Sequence, residues 1–181
     1  MILVGLGANL TSVYGKPITL LEAALDIMPA FGLTVRRRSS WYRTPAMTPY
    51  AQPPYVNGVI AVEAAMAPRE LLQALHRIEA LFGRVRRVRW GERTLDLDLL
   101  DFNGLVVPPS GRRGADAGLG ELPLALPHPG LAHRGFVLVP LRDVAPGWRH
   151  PLTGEGPDRL LARLRADGGA GMLAGIERIG G

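Results

Sequence analysis

The sequence predicts an α+β fold with a ferredoxin-like βαββαβ core, in which an antiparallel sheet carries helices on one face and C-terminal helices follow. Three observations lead to this fold class. Strand and helix signals occur in the order β-α-β-β-α-β and then helices, with no internal repeat. Hydrophobic residues make up 47% of the chain and charged residues 20%, which is typical of a globular domain. A length of 181 residues suits one domain spanning 1–181.

The first half of the chain carries three strand signals and two helix signals. Pro17 occupies a first helical position, and the apolar residues that follow it recur with the helical period. Four prolines within 44–54 exclude regular structure there and predict a loop. The predicted elements are strands at 1–7, 33–43 and 55–66, a helix at 17–28, and a helix that opens at Ala67-Pro68 and stops at Gly83.

The second half begins with the clearest strand of the chain, TLDLDLLDF at 94–102, which opens with strict alternation of polar and apolar residues. Residues 103–127 are rich in glycine and proline and are expected to form a partly mobile loop. Short helices are predicted at 136–145 and from Pro157 to Arg165. The glycine-rich residues 168–181 are expected to form a flexible tail.

Positive charge is concentrated in two stripes of arginine. The net charge is +5, from 21 basic and 16 acidic residues, and all the basic residues except Lys16 are arginine. Residues 36–43 hold four arginines, and residues 77–93 hold six against Glu79 and Glu92. Such stripes indicate a polyanionic partner, which leaves nucleic acid, an anionic membrane surface and a phosphate-bearing small molecule open.

Several classes of protein are excluded by what the sequence lacks. Without cysteine there is no disulfide, no thiolate nucleophile and no cysteine-bound zinc. No apolar run approaches the ~18 residues of a membrane span, and the start does not have the pattern of a signal peptide, so a cytoplasmic protein is expected. The glycines at 5–7 do not complete a dinucleotide fingerprint, and Gly15-Lys16 does not complete a P-loop.

The alternating strand at 94–102 carries the first candidate site. Because side chains two residues apart in a strand share a face, Thr94, Asp96 and Asp98 are expected on one side, and the leucines between them on the core side. Two carboxylates about 7 Å apart can converge on one hard cation or on a pair of them, and magnesium accepts few carboxylates with water and phosphate oxygens. The alternative is a solvated strand face whose acids are balanced by the neighbouring arginines.

Two further groups of residues are candidates for binding. Tyr55 and Asn57 share a strand face, where an aromatic ring and a carboxamide can hold a flat heterocycle; packing of Tyr55 on the domain is the alternative. His128 and Arg134 lie six residues apart in a predicted loop and can both reach a phosphate. Glu79 either takes part in a site or compensates a nearby arginine.

A resemblance to a known family rests first on the string RWGERTLDLD at 89–98. It closely resembles the signature of 6-hydroxymethyl-7,8-dihydropterin pyrophosphokinase, an enzyme family of folate biosynthesis. Further similar segments follow in the family's order, over about residues 1 to 165: GLGANL at 5–10, WYRTP at 41–45, QP at 52–53, YVN at 55–57, RIE at 77–79, GRVR at 83–86, PH at 127–128 and RGF at 134–136. The resemblance implies a ferredoxin-like fold and transfer of pyrophosphate from ATP, as co-substrate, to a pterin, with release of AMP and the use of two magnesium ions.

The resemblance also implies roles for individual residues. Asp96 and Asp98 are similar to the metal ligands, and Arg84 and Arg93 to the arginines that act on the triphosphate during transfer. The positions similar to ATP-binding residues are Glu79, Arg86, Arg89, His128 and Arg134, with Arg87 an alternative to Arg89. The positions similar to pterin-binding residues are Thr44, Pro45, Met47, Tyr55, Asn57, Trp90 and Phe136, with Tyr55 and Phe136 on either side of the ring.

Two other functions were weighed against this one. A ferredoxin-like RNA-binding module would use the same arginine stripes, but two aspartates would repel a nucleic-acid backbone and no aromatic run of the RNA-binding kind is present. A sensing domain would bind ATP or a pterin without turnover. The expected partners are therefore ATP and the hydroxymethyl pterin, with no nucleic acid and no membrane, for a protein expected to be a monomer.

Overall fold

The computed structural model describes residues 1–46, 51–83, 94–109 and 124–180. The strands and helices occur in the order that the sequence predicts, except that the strand predicted at 33–43 is divided in two and one strand is added at the C-terminal end. They are β1 (Ile2–Ala8), α1 (Pro17–Ile27), β2 (Thr34–Arg38), β3 (Trp41–Thr44), β4 (Tyr55–Glu63), α2 (Pro68–Leu81), β5 (Asp96–Phe102), α3 (Gly135–Val144), α4 (Pro157–Ala166) and β6 (Glu177–Gly180), with short 3-10 turns at Met28–Phe31, Leu131–His133 and Gly169–Met172.

The strands form one antiparallel sheet in the order β5-β1-β4-β3-β6, and β2 pairs with β4 beside β3. This arrangement confirms the predicted α+β, ferredoxin-like class. The strand predicted at 33–43 is divided in two at Ser39 and Ser40. The Ser39 hydroxyl accepts a hydrogen bond from the Val59 N–H at 3.0 Å and donates one to the Ser40 carbonyl at 2.7 Å. A serine side chain therefore takes over local backbone pairing and interrupts the ladder.

Helices cover both faces of the sheet, whereas the sequence predicts helices on one face of the core. α1 and α2 pack on the first face, against a core that includes Val4, Leu6 and Leu97. α3 and α4 pack on the second face, against a separate core that includes Leu3 and Leu100. Because successive side chains of a strand alternate between faces, the neighbours Leu3 and Val4 enter different cores. The C-terminal helices are thus the second covering layer.

Helix α2 shows how local sequence fixes an element that later supports the site. Pro68 occupies its first turn, and the Glu70 carboxylate accepts a hydrogen bond from the Ala67 N–H at 2.8 Å, which satisfies a donor at the helix start. Leu71, Leu75 and Ile78 recur with the helical period and are fully buried. The same face carries the buried carboxylate of Glu79 toward β5. No described helix is long and apolar enough to cross a membrane.

The C-terminal end contains regular structure that the sequence does not predict. Residues 168–181 are predicted to be a flexible tail, yet residues 177–180 form β6 and pair with β3 at the edge of the sheet. Its glycine-rich sequence has no strand periodicity, so the pairing depends on the β3 edge. In the predicted loop at 103–127, Val107 and Leu126 form an isolated bridge, and residues 110–123 lie outside the described part of the chain.

Candidate active site

A cavity of about 610 Å³ opens on the second face of the sheet, where α3 begins. Its floor is formed by β1, β4 and β5, and its walls come from the end of β3, the loop before α3, α3 itself and the turn before β6. Nine of the residues singled out in the sequence line it: Thr44, Pro45, Tyr55, Asn57, Asp96, Asp98, His128, Arg134 and Phe136. The structure therefore brings the predicted metal, phosphate and pterin residues together in one cavity.

Two glycines of β1 form a groove in the floor. Along this face of β1 the residues are Leu3, Gly5 and Gly7, so apolar packing gives way to open space. Gly7 pairs with Asn57 on one side and Asp96 on the other. A Cβ at Gly7 would lie 2.9 Å from the Asn57 Oδ1, closer than packing allows. The absence of a side chain therefore leaves a carboxamide and a carboxylate facing each other across a groove.

The aspartates of β5 lie as strand alternation predicts. Leu97 and Leu99 are 1% and 3% exposed in the first core, whereas Asp96 and Asp98 are half-buried and line the cavity on the opposite face. The Asp98 Oδ2 lies 3.5 Å from the Arg134 Nη1. Within the described ranges no cluster of three or more acidic or histidine side chains has the geometry of a metal site. Two carboxylates nevertheless fit magnesium, which keeps waters and phosphate oxygens as its other ligands.

A short loop before α3 supplies His128 and Arg134. The His128 N–H donates to the Leu100 carbonyl at 2.8 Å, which ties the loop to β5. The His128 Nδ1 accepts a hydrogen bond from the Gly130 N–H at 3.0 Å, so in the neutral ring the proton resides on Nε2. Burial lowers the pKa of His128; Asp98 opposes this effect and Arg134 adds to it. His128 therefore lines the cavity, and its neutral ring offers the Nε2–H as a hydrogen-bond donor.

Arg134 folds back over its own loop. A Cβ at Gly130 would lie 2.6 Å from the Arg134 Nε, so a larger residue there would require the guanidinium to shift. The guanidinium carbon also lies 5.7 Å from the centre of the Phe136 ring. Arg134 is thus held between an aspartate and an aromatic ring on the cavity wall.

Aromatic and amide groups line the same cavity beside the charged side chains. The Asn57 Nδ2 donates a hydrogen bond to the Thr44 Oγ1 at 2.7 Å, and both side chains are buried. This bond fixes the orientation of the carboxamide and places its oxygen beside the groove at Gly7. Tyr55 on β4 and Phe136 on α3 both line the cavity and are half-buried.

Glu79, which the sequence assigns to ATP, does not line this cavity. Glu79 is 2% exposed, and its carboxylate accepts a hydrogen bond from the Leu97 N–H at 2.7 Å. It therefore ties α2 to the strand that carries both aspartates. The remaining predicted site residues lie outside the described residues: Met47, Arg84, Arg86, Arg89, Trp90 and Arg93.

Sequence reasoning missed eight residues that line the cavity: Gly5, Leu6, Gly7, Gly58, Gly130, His133, Val137 and Met172. A signal existed for two of them, because Gly5 and Gly7 share the face of Leu3 and two glycines in that pattern open a groove. Met172 gave no signal, since its position depends on how the glycine-rich segment folds back.

The arginine stripe at 36–43 is not part of the cavity. Each of its four arginines already contacts an oxygen of the protein: Arg36 contacts Glu63, Arg38 contacts Glu22, Arg43 contacts Glu177, and Arg37 contacts the Val144 carbonyl. Three of these partners are carboxylates that form exposed ion pairs, and the expectation of a polyanion at 36–43 stays a prediction. The second stripe falls largely within 84–93, outside the described residues.

The fold and the cavity together define a class of protein. Carboxylates, a histidine and an arginine that share one cavity with aromatic rings and a carboxamide suit an enzyme that holds a phosphate-bearing substrate beside a flat organic acceptor. Residues 3–146 match the family described as 7,8-dihydro-6-hydroxymethylpterin-pyrophosphokinase (HPPK). The chain belongs to this family, which confirms the resemblance found in the sequence.

Individual relatives agree with this assignment. The chain is 39% identical to the 2-amino-4-hydroxy-6-hydroxymethyldihydropteridine pyrophosphokinase of Pseudomonas aeruginosa over 180 residues, covering 98% of this chain and 96% of that one. It is 37% identical to the Synechocystis protein of the same name over 175 residues, covering 96% and 81%.

Among solved structures, a Plasmodium falciparum HPPK-DHPS matches with a TM-score of 0.74 at 15% identity, which shows the shared fold. The match covers 98% of this chain and 47% of the plasmodial chain, so this chain spans about half of that protein's length.

Proposed function

We propose that this protein transfers pyrophosphate from ATP to the hydroxymethyl group of 6-hydroxymethyl-7,8-dihydropterin, yielding the pterin diphosphate and AMP in the biosynthesis of tetrahydrofolate. Membership of the pyrophosphokinase family supports the reaction. The observation that carries the proposal is the cavity itself, in which Asp96 and Asp98 share one space with Asn57, Tyr55 and Phe136.

The pterin is proposed to bind against the aromatic side chains and the carboxamide of the cavity. A pterin is a flat ring with N–H donors on one edge, and a carboxamide oxygen accepts such donors. Thr44 holds the Asn57 carboxamide with its oxygen beside the groove, and Tyr55 and Phe136 supply ring faces for stacking. The side chains of Pro45, Met47 and Trp90 are proposed to contact the pterin as well.

The triphosphate is proposed to bind beside the charged side chains of the cavity. Asp96 and Asp98 are proposed to hold two magnesium ions, which would neutralise charge on the phosphate oxygens. The His128 Nε2–H and the Arg134 guanidinium are donors for phosphate oxygens on the same wall. Arg84 and Arg93 are proposed to act on the transferring group, and Glu79, Arg86 and Arg89 to support ATP binding.

The proposed reaction forms one bond and breaks one. The pterin hydroxyl oxygen attacks the β-phosphorus of ATP and releases its proton to water, and the bond between the β-phosphorus and the oxygen bridging to the α-phosphate breaks. AMP leaves with that oxygen. Since such transfers depend on positioning and charge neutralisation, the residues of the cavity need only bind and orient the two substrates.

The products test the proposal directly. The protein is incubated with ATP, magnesium and the hydroxymethyl pterin, and nucleotides and pterins are separated by chromatography. The expected result is AMP and pterin diphosphate in equal amounts. Formation of ADP, or no turnover, would contradict the proposal. Omission of magnesium in a parallel reaction, with chelator present, is expected to abolish AMP formation.

A further inference from the structure

One wall of the cavity comes from beyond residues 3–146, the range that matches the family description. The match ends at residue 146, yet Met172 lines the cavity. We name residues 172–180 the C-terminal strap. It runs from the turn after α4 past the start of α3 to the edge strand β3.

The first anchor of the C-terminal strap lies at the start of α3. A Cβ at Gly135 would collide with the Met172 carbonyl oxygen and would approach the Leu173 side chain to 2.6 Å. Gly135 is buried, and Leu173 packs against the core beneath α3 and α4. The backbone of Met172 is therefore seated directly against the residue that precedes Phe136.

The second anchor lies at the end of β3. Gly175 has a φ of +68°, a conformation that favours glycine, and a Cβ there would lie 2.9 Å from the Pro45 Cγ. Beyond it β6 pairs with β3, and the Arg178 Nε donates a hydrogen bond to the Ser40 Oγ at 2.7 Å. The strap thus contacts Pro45 and the strand that ends in Thr44.

The two anchors connect the C-terminal strap to two elements that line the cavity, the start of α3 and the end of β3. Phe136 follows the first anchor, while Thr44 and Pro45 lie at the second. Met172, whose backbone forms part of the first anchor, is 39% exposed and lines the cavity. A thioether on a flexible, unbranched chain packs well against an aromatic face and adapts to its shape.

We propose that Met172 contacts the flat acceptor substrate and that the C-terminal strap sets the affinity of the protein for that substrate. The inference rests on the proposed function, since it takes the acceptor to be the pterin. Met172 is a binding residue in this account. Arg178 and Gly175 are positioning residues that act through the strap.

The test is steady-state kinetics with each substrate varied in turn. Met172→Ala is expected to raise the KM for the pterin about fivefold, since it removes the side-chain contact with the ring. The KM for ATP and the kcat are expected to stay within about twofold of the wild type. Met172→Leu restores apolar volume and is expected to recover most of the affinity. Met66→Ala is the matched control, because Met66 packs on the opposite face of the sheet.

A second variant separates a specific wall from a general loss of structure. Arg178→Ala removes the hydrogen bond to Ser40 and is expected to raise the pterin KM about twofold. In the double variant that also carries Met172→Ala, the increase in the pterin KM is expected to be smaller than the product of the two single increases, because both substitutions act through the C-terminal strap.

Each outcome decides the proposal. A pterin KM unchanged in Met172→Ala, with AMP still formed, would overturn the inference and leave the proposed function intact. Equal increases in both KM values with a lower Tm would show a structural role and would also overturn it. Absence of AMP formation by the wild type would overturn the proposed function and this inference with it.

Discussion

The two faces of the sheet share strands β1, β4 and β5, yet within the described residues the cavity lies on one face and a continuous apolar core on the other. Toward α1 and α2, strands β1, β4 and β5 present apolar side chains along their length, including Leu6, Ile60 and Leu97. Toward α3 and α4, apolar residues such as Leu3 and Leu100 occupy only one half. The other half carries glycine, asparagine and aspartate. A site arises where the covering helices leave the sheet uncovered and the strand residues become small or polar.

Residues that are next to each other in the sequence therefore have different roles. Side chains of β5 alternate between the stabilising core and the cavity, so substitution of one residue is expected to change activity and substitution of its neighbour to change stability. Four predictions test this division.

The largest effect is expected on the cavity face of β5. Asp96→Asn keeps the size of the side chain and removes its charge, and with it a ligand for magnesium. Turnover is expected to fall about 1,000-fold, while the Tm stays close to that of the wild type. AMP formation and thermal unfolding measure the two quantities, and wild-type turnover in this variant would remove the β5 carboxylates from the mechanism.

The next effect is expected on the core face of the same strand. Leu97→Ala removes a side chain that is 1% exposed and leaves a cavity in the first core. The free energy of unfolding is expected to fall by about 3 kcal/mol. Denaturation in urea measures this loss. KM values for ATP and pterin measured below the transition are expected to match the wild type, and a large change in either would contradict the division between faces.

A smaller effect is expected in the groove of β1. The methyl group of Gly7→Ala would lie 2.9 Å from the Asn57 Oδ1, so the carboxamide must move. The pterin KM is expected to rise about tenfold, which corresponds to the loss of roughly one good hydrogen bond. Gly147→Ala is the control, because nothing lies within 4 Å of a Cβ at Gly147. Equal kinetics for the two variants would show that the groove does not position Asn57.

The smallest effect concerns the covered half of the second face. His150 is buried, and its Nδ1 accepts a hydrogen bond from the Leu152 N–H at 3.3 Å. Burial lowers the pKa of His150, and Arg163 adds to this effect. The unfolded chain therefore binds a proton more readily, so this contribution to stability is present above about pH 6.5 and is lost as the pH falls below it.

His150→Asn removes the titrating group and retains an acceptor. The Tm of this variant is expected to fall less than that of the wild type between pH 7 and pH 5.5, whereas the pterin KM at pH 7 is expected to be unchanged. Thermal unfolding across this pH range measures the difference, and parallel pH profiles for the two proteins would contradict the assignment.

Strand alternation and helical period predicted much of this structure. They place Asp96 and Asp98 opposite the leucines of β5, and they give the order of elements through α4. These signals are local, because each depends on the spacing of neighbouring residues. The split between β2 and β3 was missed, since it depends on the Ser39 hydroxyl bonding to a residue of β4.

Features that depend on distant neighbours were not predictable. The stripe at 36–43 was taken to indicate a polyanion, and the spacing of its arginines does not show that three of them pair with carboxylates from α1, β4 and β6. Met172 enters the cavity because the chain folds back after α4 to the edge of β3. Nothing in a glycine-rich sequence specifies that path, since the pairing partner supplies the order.

The most direct test of the account is the location of both substrates in a crystal grown with Mn²⁺, a non-hydrolysable ATP analogue and the hydroxymethyl pterin. We expect anomalous scattering from manganese at the carboxylates of Asp96 and Asp98, with the pterin ring beside Asn57 in the same cavity. Manganese or pterin bound elsewhere on the protein, with this cavity empty of both, would contradict it.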